Sequence, residues 1–313
     1  MDANASAAQA RRILVMGATG YIGGLVVPRL LEAGFPVRCL VRDKTKLSRQ
    51  PWATHVEVVE GDALQLDTLA PAFSGIDVVY YLVHSMGAGG GSDFAQQDRH
   101  AASNTALAAK EQGVGRIIYL GGLGQEGTGL SEHLASRQET GRVLASHGVP
   151  VTEFRAAVIV GAGSLSFRMV RYLSERLPVM ITPRWVSTRV QPIAEADVVR
   201  YLVDALDVSE SAGRVLEIGG ADVLTYGQMI TRYARLRGLR RTLIPVPVLT
   251  PTLSAYWVDL VTPIPASIAH PFIEGLKTEV VVRDPAAREI FGFEPVGYEE
   301  AVRRVLVEQP QVR

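Results

Sequence analysis

The stretch GATGYIGG (17–24) grows directly out of the apolar run RILVM and leads into a helical pattern, and no other feature of this chain restricts its fold so tightly. Gly17, Gly20 and Gly23 are spaced G-x-x-G-x-x-G. At a strand-to-helix turn the first glycine permits a tight bend, the second lets backbone approach a pyrophosphate, and the third lets helix and strand pack closely. The helix N-terminus then offers free N–H groups and a positive partial charge to phosphates. A lone glycine triplet also marks ordinary strand–helix turns, so the surrounding pattern has to decide.

That pattern alternates. RILVMG (12–17), PVRCLVR (36–42), HVEVVEG (55–61), IDVVYYLV (76–83), GRIIYLG (115–121) and VPVTEFR (149–155) read as short β-branched strands. Helical patterns lie between them, at 22–33, 92–113 and 131–147. Near-continuous apolar strands separated by helices predict a parallel sheet covered on both faces, hence a doubly wound α/β (Rossmann) fold over residues 1–160. From Gly161 the rhythm loosens, with a helix at 195–206, a strand at 213–220, a helix at 225–238 and a helix-like TLSAYWVDLV (252–261) in a proline-rich region. Residues 161–313 are therefore expected to form a smaller α+β substrate lobe, interleaved with the Rossmann core and lying over the carboxyl edge of its strands.

Composition narrows the function classes. The 313 residues are 47% hydrophobic and 20% charged, as in a globular protein. Thirty-two basic residues balance 32 acidic ones, which gives no electrostatic footprint for nucleic acid. Cys39 stands alone, so neither an intramolecular disulfide nor a thiolate metal cluster can form. The six histidines show no H-E-x-x-H or similar spacing, and no metal is expected. The start lacks an apolar signal-peptide core, and the most apolar stretch, 243–273, is broken by six prolines and Asp259. A cytoplasmic protein without a transmembrane segment is expected.

Several residues point to a nicotinamide dinucleotide. Thr19, Tyr21 and Ile22 fall within the glycine turn. Arg42 ends the second strand, where a site preferring NAD places an acid against the ribose 2′-hydroxyl. Arginine's planar fork suits a 2′-phosphate, so NADP (NADPH) is favoured over NAD. The rival readings are a solvated RDKTK loop, or Asp43 reaching the ribose. Asp62 and Ala63 follow the third strand, with Asp62 placed either for the adenine edge or as a turn cap. Leu82, Val83 and His84 follow the fourth strand and are expected to line the cofactor.

Together GATGYIG, LVR, EGDA, SNTALAAKEQGVGRIIYLGG and FRAAVIVGAGS resemble the atypical and extended short-chain dehydrogenase/reductases, including NmrA-like regulators, isoflavone-reductase-like enzymes and the Rossmann-type accessory subunit of respiratory complex I. The resemblance covers the first 165 residues and continues more loosely through QPIAEADVVRYLVDAL and GRVLEIGG. It implies an NAD(P)-binding cleft, in which Asn104 matches a catalytic asparagine on the helix that precedes the Tyr-x-x-x-Lys helix and FRAAVIVGAG matches the loop meeting the nicotinamide amide.

The chain also departs from that family. Where a catalytic Ser or Thr ends the strand, Gly121-Gly122 stand, and alignment of the Tyr-x-x-x-Lys helix puts His133 at the tyrosine and Arg137 at the lysine. Imidazole titrates near pH ~6.5 and suits general-acid work. His133 and Arg137 are i, i+4 on one helix and share a face, and Arg137 would push His133 towards neutrality. Arg137 is also a candidate to hold the nicotinamide ribose or an anionic substrate group. A surface histidine beside a surface arginine is the plainer reading. His84, Ser85 and Tyr81 are other candidate donors, with Tyr81 better suited to the core.

For the substrate, His84 and the apolar stripe containing Tyr256 and Trp257 are candidate contacts; the stripe also reads as the inner face of a packed helix or a peripheral membrane contact. GAGGG (87–91) is either a lid or a surface loop. The leading expectation is an NADP-dependent oxidoreductase acting on a small or hydrophobic carbonyl, enone or quinone-like acceptor. The alternative is a non-catalytic NAD(P)-binding redox sensor or scaffold. A sugar-nucleotide epimerase is weaker, because that chemistry leans on the absent tyrosine.

Overall fold

A computed structural model describes residues 11–84, 94–125, 130–246 and 275–308. Its first half runs β1 (Ile13–Met16), α1 (Tyr21–Glu32), β2 (Val37–Val41), α2 (Lys44–Leu47), β3 (Glu57–Glu60), α3 (Ala70–Phe73), β4 (Val78–Tyr81), α4 (Phe94–Glu111), β5 (Arg116–Gly122), α5 (Glu132–Ala145) and β6 (Val151–Ala156). There follow β7 (Ile159–Val160), α6 (Leu165–Arg176), β8 (Val179–Thr182), β9 (Arg189–Val190), β10 (Ile193–Ala194), α7 (Glu195–Asp204), β11 (Val215–Ile218), β12 (Leu224–Thr225), α8 (Tyr226–Leu236), β13 (Thr242–Pro245), α9 (Ala286–Phe291) and α10 (Tyr298–Glu308).

Seven strands form one parallel sheet in the order β11-β6-β5-β4-β1-β2-β3. The order reverses between β1 and β4, and in such sheets ligands bind outside the carboxyl ends of the strands at that crevice. The apolar runs are explained by burial on both faces. Ile13 and Val15 of β1 join Val26, Val27 and Leu30 of α1 and Val198 and Leu202 of α7 on one side. Leu14 and Met16 join Phe73 of α3 and Ala101 and Ala102 of α4 on the other.

Two elements after Gly161 return to this sheet instead of lying over its edge. The β11 strand pairs with β6 (Val215 opposite Glu153, Ile218 opposite Ala156), and α7 covers the same face as α1. The physical reason is that β6 would otherwise present an unpaired edge, and Leu216 and Ile218 are apolar enough to be buried there. The remainder forms its own apolar cluster, with Phe167, Val170 and Leu173 of α6, Met229, Ile230 and Tyr233 of α8, and Val302 and Val305 of α10. Three two-stranded ribbons, β10-β7, β12-β9 and β13-β8, knit this part together. Among the described residues no helix is long and apolar enough to cross a membrane.

Candidate functional site

A cleft of about 700 Å³ opens at the carboxyl ends of β1 and β4, where the strand order reverses. Its first wall is the glycine turn. Gly17 has φ +89°, and a Cβ there would sit 2.5 Å from the Leu82 carbonyl oxygen. A Cβ on Gly23 would sit 2.2 Å from the Gly17 carbonyl oxygen. Both positions are therefore closed to larger residues. The N-cap of α1, Gly20, has no side-chain cap, and its first turn carries no acid. Tyr21, Ile22 and Gly23 face the cleft, so the N–H groups that no helical carbonyl satisfies are left for an anion. This cradle fits a pyrophosphate.

Arg42 lines the cleft at the end of β2, exposed, and makes no ion pair with a described carboxylate. Asp43 is otherwise engaged. Its carboxylate caps α2, accepting from Thr45 N at 2.8 Å and Thr45 Oγ1 at 2.6 Å, and these bonds hold it below the usual carboxylate range. Asp62 lines the cleft and also accepts from Leu64 N at 3.0 Å, so it is both turn former and cleft residue. Thr19, Ala63, Leu82, Val83 and His84 line the same space.

Asn104 is elsewhere. It is buried in α4, and its side-chain amide donates to the Ala63 carbonyl at 2.9 Å. The expected catalytic asparagine thus clamps the loop after β3, and the cleft is lined by its helix neighbours Gln97 and Ala101 instead.

At the far end β5 delivers Leu120, Gly121, Gly122 and Leu123, and α5 delivers His133, Leu134 and Arg137. Ser131 caps α5, accepting from Leu134 N, which fixes the helix start beside the cleft. A Cβ on Gly122 would come within 2.8 Å of Leu134 Cδ2, so leucine fills the space a residue with a side chain would need. Arg137 lies over the Tyr119 ring, 5.1 Å from its centroid, and donates to the Leu120 carbonyl. Tyr119 Oη in turn donates to the Arg137 carbonyl at 2.8 Å.

The structure brings His84 and His133 together, with ring centroids 5.1 Å apart. His84 Nδ1 is 3.3 Å from Asp98 Oδ2, and Ser136 Oγ donates to the same oxygen at 3.4 Å. Burial, then His84 and the Arg137 guanidinium, push His133 down to about 3. Its Nδ1 is buried without a hydrogen-bond partner. The expected acid is thus a neutral imidazole at ordinary pH, because burial disfavours the charged ring and the nearby Arg137 guanidinium adds to that cost. His84 is lowered more modestly, burial outweighing the Asp98 bond. Tyr81 is wholly buried, with its hydroxyl pushed well up, and is a core residue.

Apolar lining that sequence reasoning missed comes from the second half of the chain: Leu165, Tyr226, Leu276 and Val280. No motif marks them, since each sits in an ordinary amphipathic or irregular stretch. Ser85, the GAGGG loop, Tyr256 and Trp257 lie outside the described residues. Among the described residues no group of three or more His, Cys, Asp or Glu could hold a metal.

Residues 17–172 match a family model described as NAD(P)H-binding. Residues 17–172 thus form an NAD(P)-binding domain, and the chain has relatives among the isoflavone-reductase-like and atypical short-chain dehydrogenase/reductase proteins. Its relatives include the (4-alkanoyl-5-oxo-2,5-dihydrofuran-3-yl)methyl phosphate reductase of Streptomyces griseus, 29% identical over 72% of this chain and 74% of that protein. The photosystem II assembly factor Ycf39 of Cyanophora paradoxa is 27% identical over 75% of this chain and 72% of its own. Among solved structures, the Citrobacter sp. triphenylmethane reductase complexed with NADP(H) superposes with a TM-score of 0.75 at 20% identity, covering 94% of this chain and 100% of that one. The fold is shared with that reductase.

Proposed function

We propose that this protein is an NADPH-dependent reductase of apolar conjugated acceptors, enones or quinone-like rings. The observation that carries this reading is His133, a neutral imidazole with an unpartnered buried Nδ1 where a carbonyl reductase would hold its tyrosine acid. Reduction of an isolated ketone builds a localised alkoxide, which requires a strong, well-placed acid. Reduction of a conjugated acceptor spreads the charge over an enolate or phenolate, for which a fixed hydrogen-bond donor suffices.

Bound NADPH supplies a hydride. The chain's own residues would do the rest. Gly17 to Gly23 and the α1 N-terminus hold the pyrophosphate, Arg42 the 2′-phosphate, and Arg137 the nicotinamide ribose. His133 directs an N–H at the acceptor oxygen, and Leu123, Leu134, Leu165, Leu276 and Val280 exclude water from the acceptor. Those residues, supplied largely by 161–313, carry no charge, which supports an uncharged and hydrophobic substrate. The Streptomyces relative is named for an acyl-dihydrofuranone, itself a conjugated acceptor, and Arg137 is the described cation at that end of the cleft.

The test is NADPH oxidation against quinones, enones, aldehydes and ketones, with His133→Phe measured alongside. Enone or quinone turnover that drops roughly 10²–10³-fold in the variant is expected for loss of one oxyanion donor. A preference for simple ketones would overturn the reading. Gly121-Gly122 and the likeness to an assembly factor favour a second reading, a nucleotide-binding scaffold or sensor. Tight NADPH binding without consumption of any acceptor would select it.

A further inference from the structure

We propose that Asp98 is a positioning residue that fixes His84 with Nδ1–H turned to the carboxylate and Nε2 turned to the cleft, making His84 the group through which a proton reaches the acceptor. This rests on the reductase reading and adds the proton source that reading lacks. His133 is neutral and buried, so it can polarise an oxygen but cannot resupply protons. His84 is also lowered by burial, but it differs in reaching water and in being bonded to a carboxylate. Its side chain is 26% exposed, in reach of water, while Asp98 is only 5% exposed and bonded to it. A buried carboxylate at that distance selects one tautomer and offsets part of the burial that disfavours the imidazolium.

Asp98 belongs to α4, in the stretch 92–113 that reads as a helix in the sequence. It faces inward because α4 packs against α5, bringing Ser136 Oγ onto the same carboxylate oxygen. Around His84 the described charged and titratable groups are Asp98 from α4 and His133 and Arg137 from α5, with Tyr81 and Tyr119 beneath.

The balance is simple. The acceptor, reduced by two electrons as a hydride, holds one negative charge on oxygen, hydrogen-bonded to His133. The His84 Nε2–H bond breaks and an O–H bond forms, leaving His84 neutral and the product neutral. A hydronium ion from solvent at the exposed edge then reprotonates Nε2 and leaves as water.

The experiment uses full-length protein labelled with 15N-histidine, in wild type, Asp98→Asn and Asp98→Glu, with His84→Gln for assignment. Nitrogen shifts are followed from pH 4.5 to 8, and kcat and KM are measured over the same range with NADPH and 2-methyl-1,4-naphthoquinone. The expected result is an Nδ1–H tautomer for His84 in wild type. Its titration midpoint falls in Asp98→Asn and is partly restored in Asp98→Glu. The kcat limb that declines with rising pH moves to lower pH in step, while KM for NADPH changes less than twofold. An unchanged His84 titration in Asp98→Asn overturns the pairing. A shifted titration with an unmoved kcat profile overturns the proton-supply role. Absent turnover in wild type overturns proton supply together with the reductase reading, while the nitrogen shifts still decide whether Asp98 holds His84.

Discussion

Arg42 and Asp43 are neighbours with opposite charges, and the hydrogen bonds of Asp43 decide which charge is left to the cleft. Asp43 is committed to Thr45, so this edge of the cleft is left to Arg42. Arg42→Ala is therefore expected to weaken NADPH about tenfold, ~1.4 kcal/mol, and to leave NADH within twofold, as read by titration calorimetry. His133 sets a second expectation. Its folded-state pKa of about 3 lies below the ordinary value of 6.5, so the unfolded chain binds the proton more readily. The stability tied to its neutral form is fully present above pH ~6.5 and is lost as pH falls towards 3. Urea midpoints between pH 4.5 and 7.5 should rise with pH, and His133→Gln should flatten that rise; an equal slope in both proteins would contradict the burial argument.

At the scale of elements, α5 carries His133 and Arg137 into the cleft and packs closely on β6 through one glycine. Gly141 lies against the buried Glu153–Arg155 pair of β6, and a Cβ there would meet Glu153 Oε2 at 2.0 Å. Gly141→Ala should lower stability by roughly 1–3 kcal/mol, seen as a lower urea midpoint, and should displace His133 and Arg137 enough to reduce turnover. The strands around this helix were legible because each is an apolar run bounded by glycine or a polar turn, buried on both faces. By contrast β7, β9, β10 and β12 are two residues long and show no period to read. The glycine turn and its cleft neighbours were equally legible, since backbone geometry forces their identity. Asp98 was not, because its role comes from α4 meeting α5, and Asn104 misled because a family position does not fix where a side chain finds its partner.

For the whole molecule, the pairing of β11 with β6 means that neither half completes the sheet alone. A fragment ending at residue 160 lacks Leu216 and Ile218 on β11 and Val198, Tyr201 and Leu202 on α7, all of them core residues. It should show no cooperative thermal transition by calorimetry, whereas the full chain should show one. The sequence placed a strand at 213–220 but carried no sign of its neighbour, since register across some sixty residues is a property of the packed sheet. On a ribosome this order of assembly has a cost in time. Elongation at about 5–20 residues per second separates the emergence of β6 from that of β11 by roughly 3–12 s. Throughout that interval the nascent chain displays an open apolar β edge, so the yield of folded protein should depend on trigger-factor-like holding and on codon speed between residues 157 and 218, more than on any property of the finished cleft.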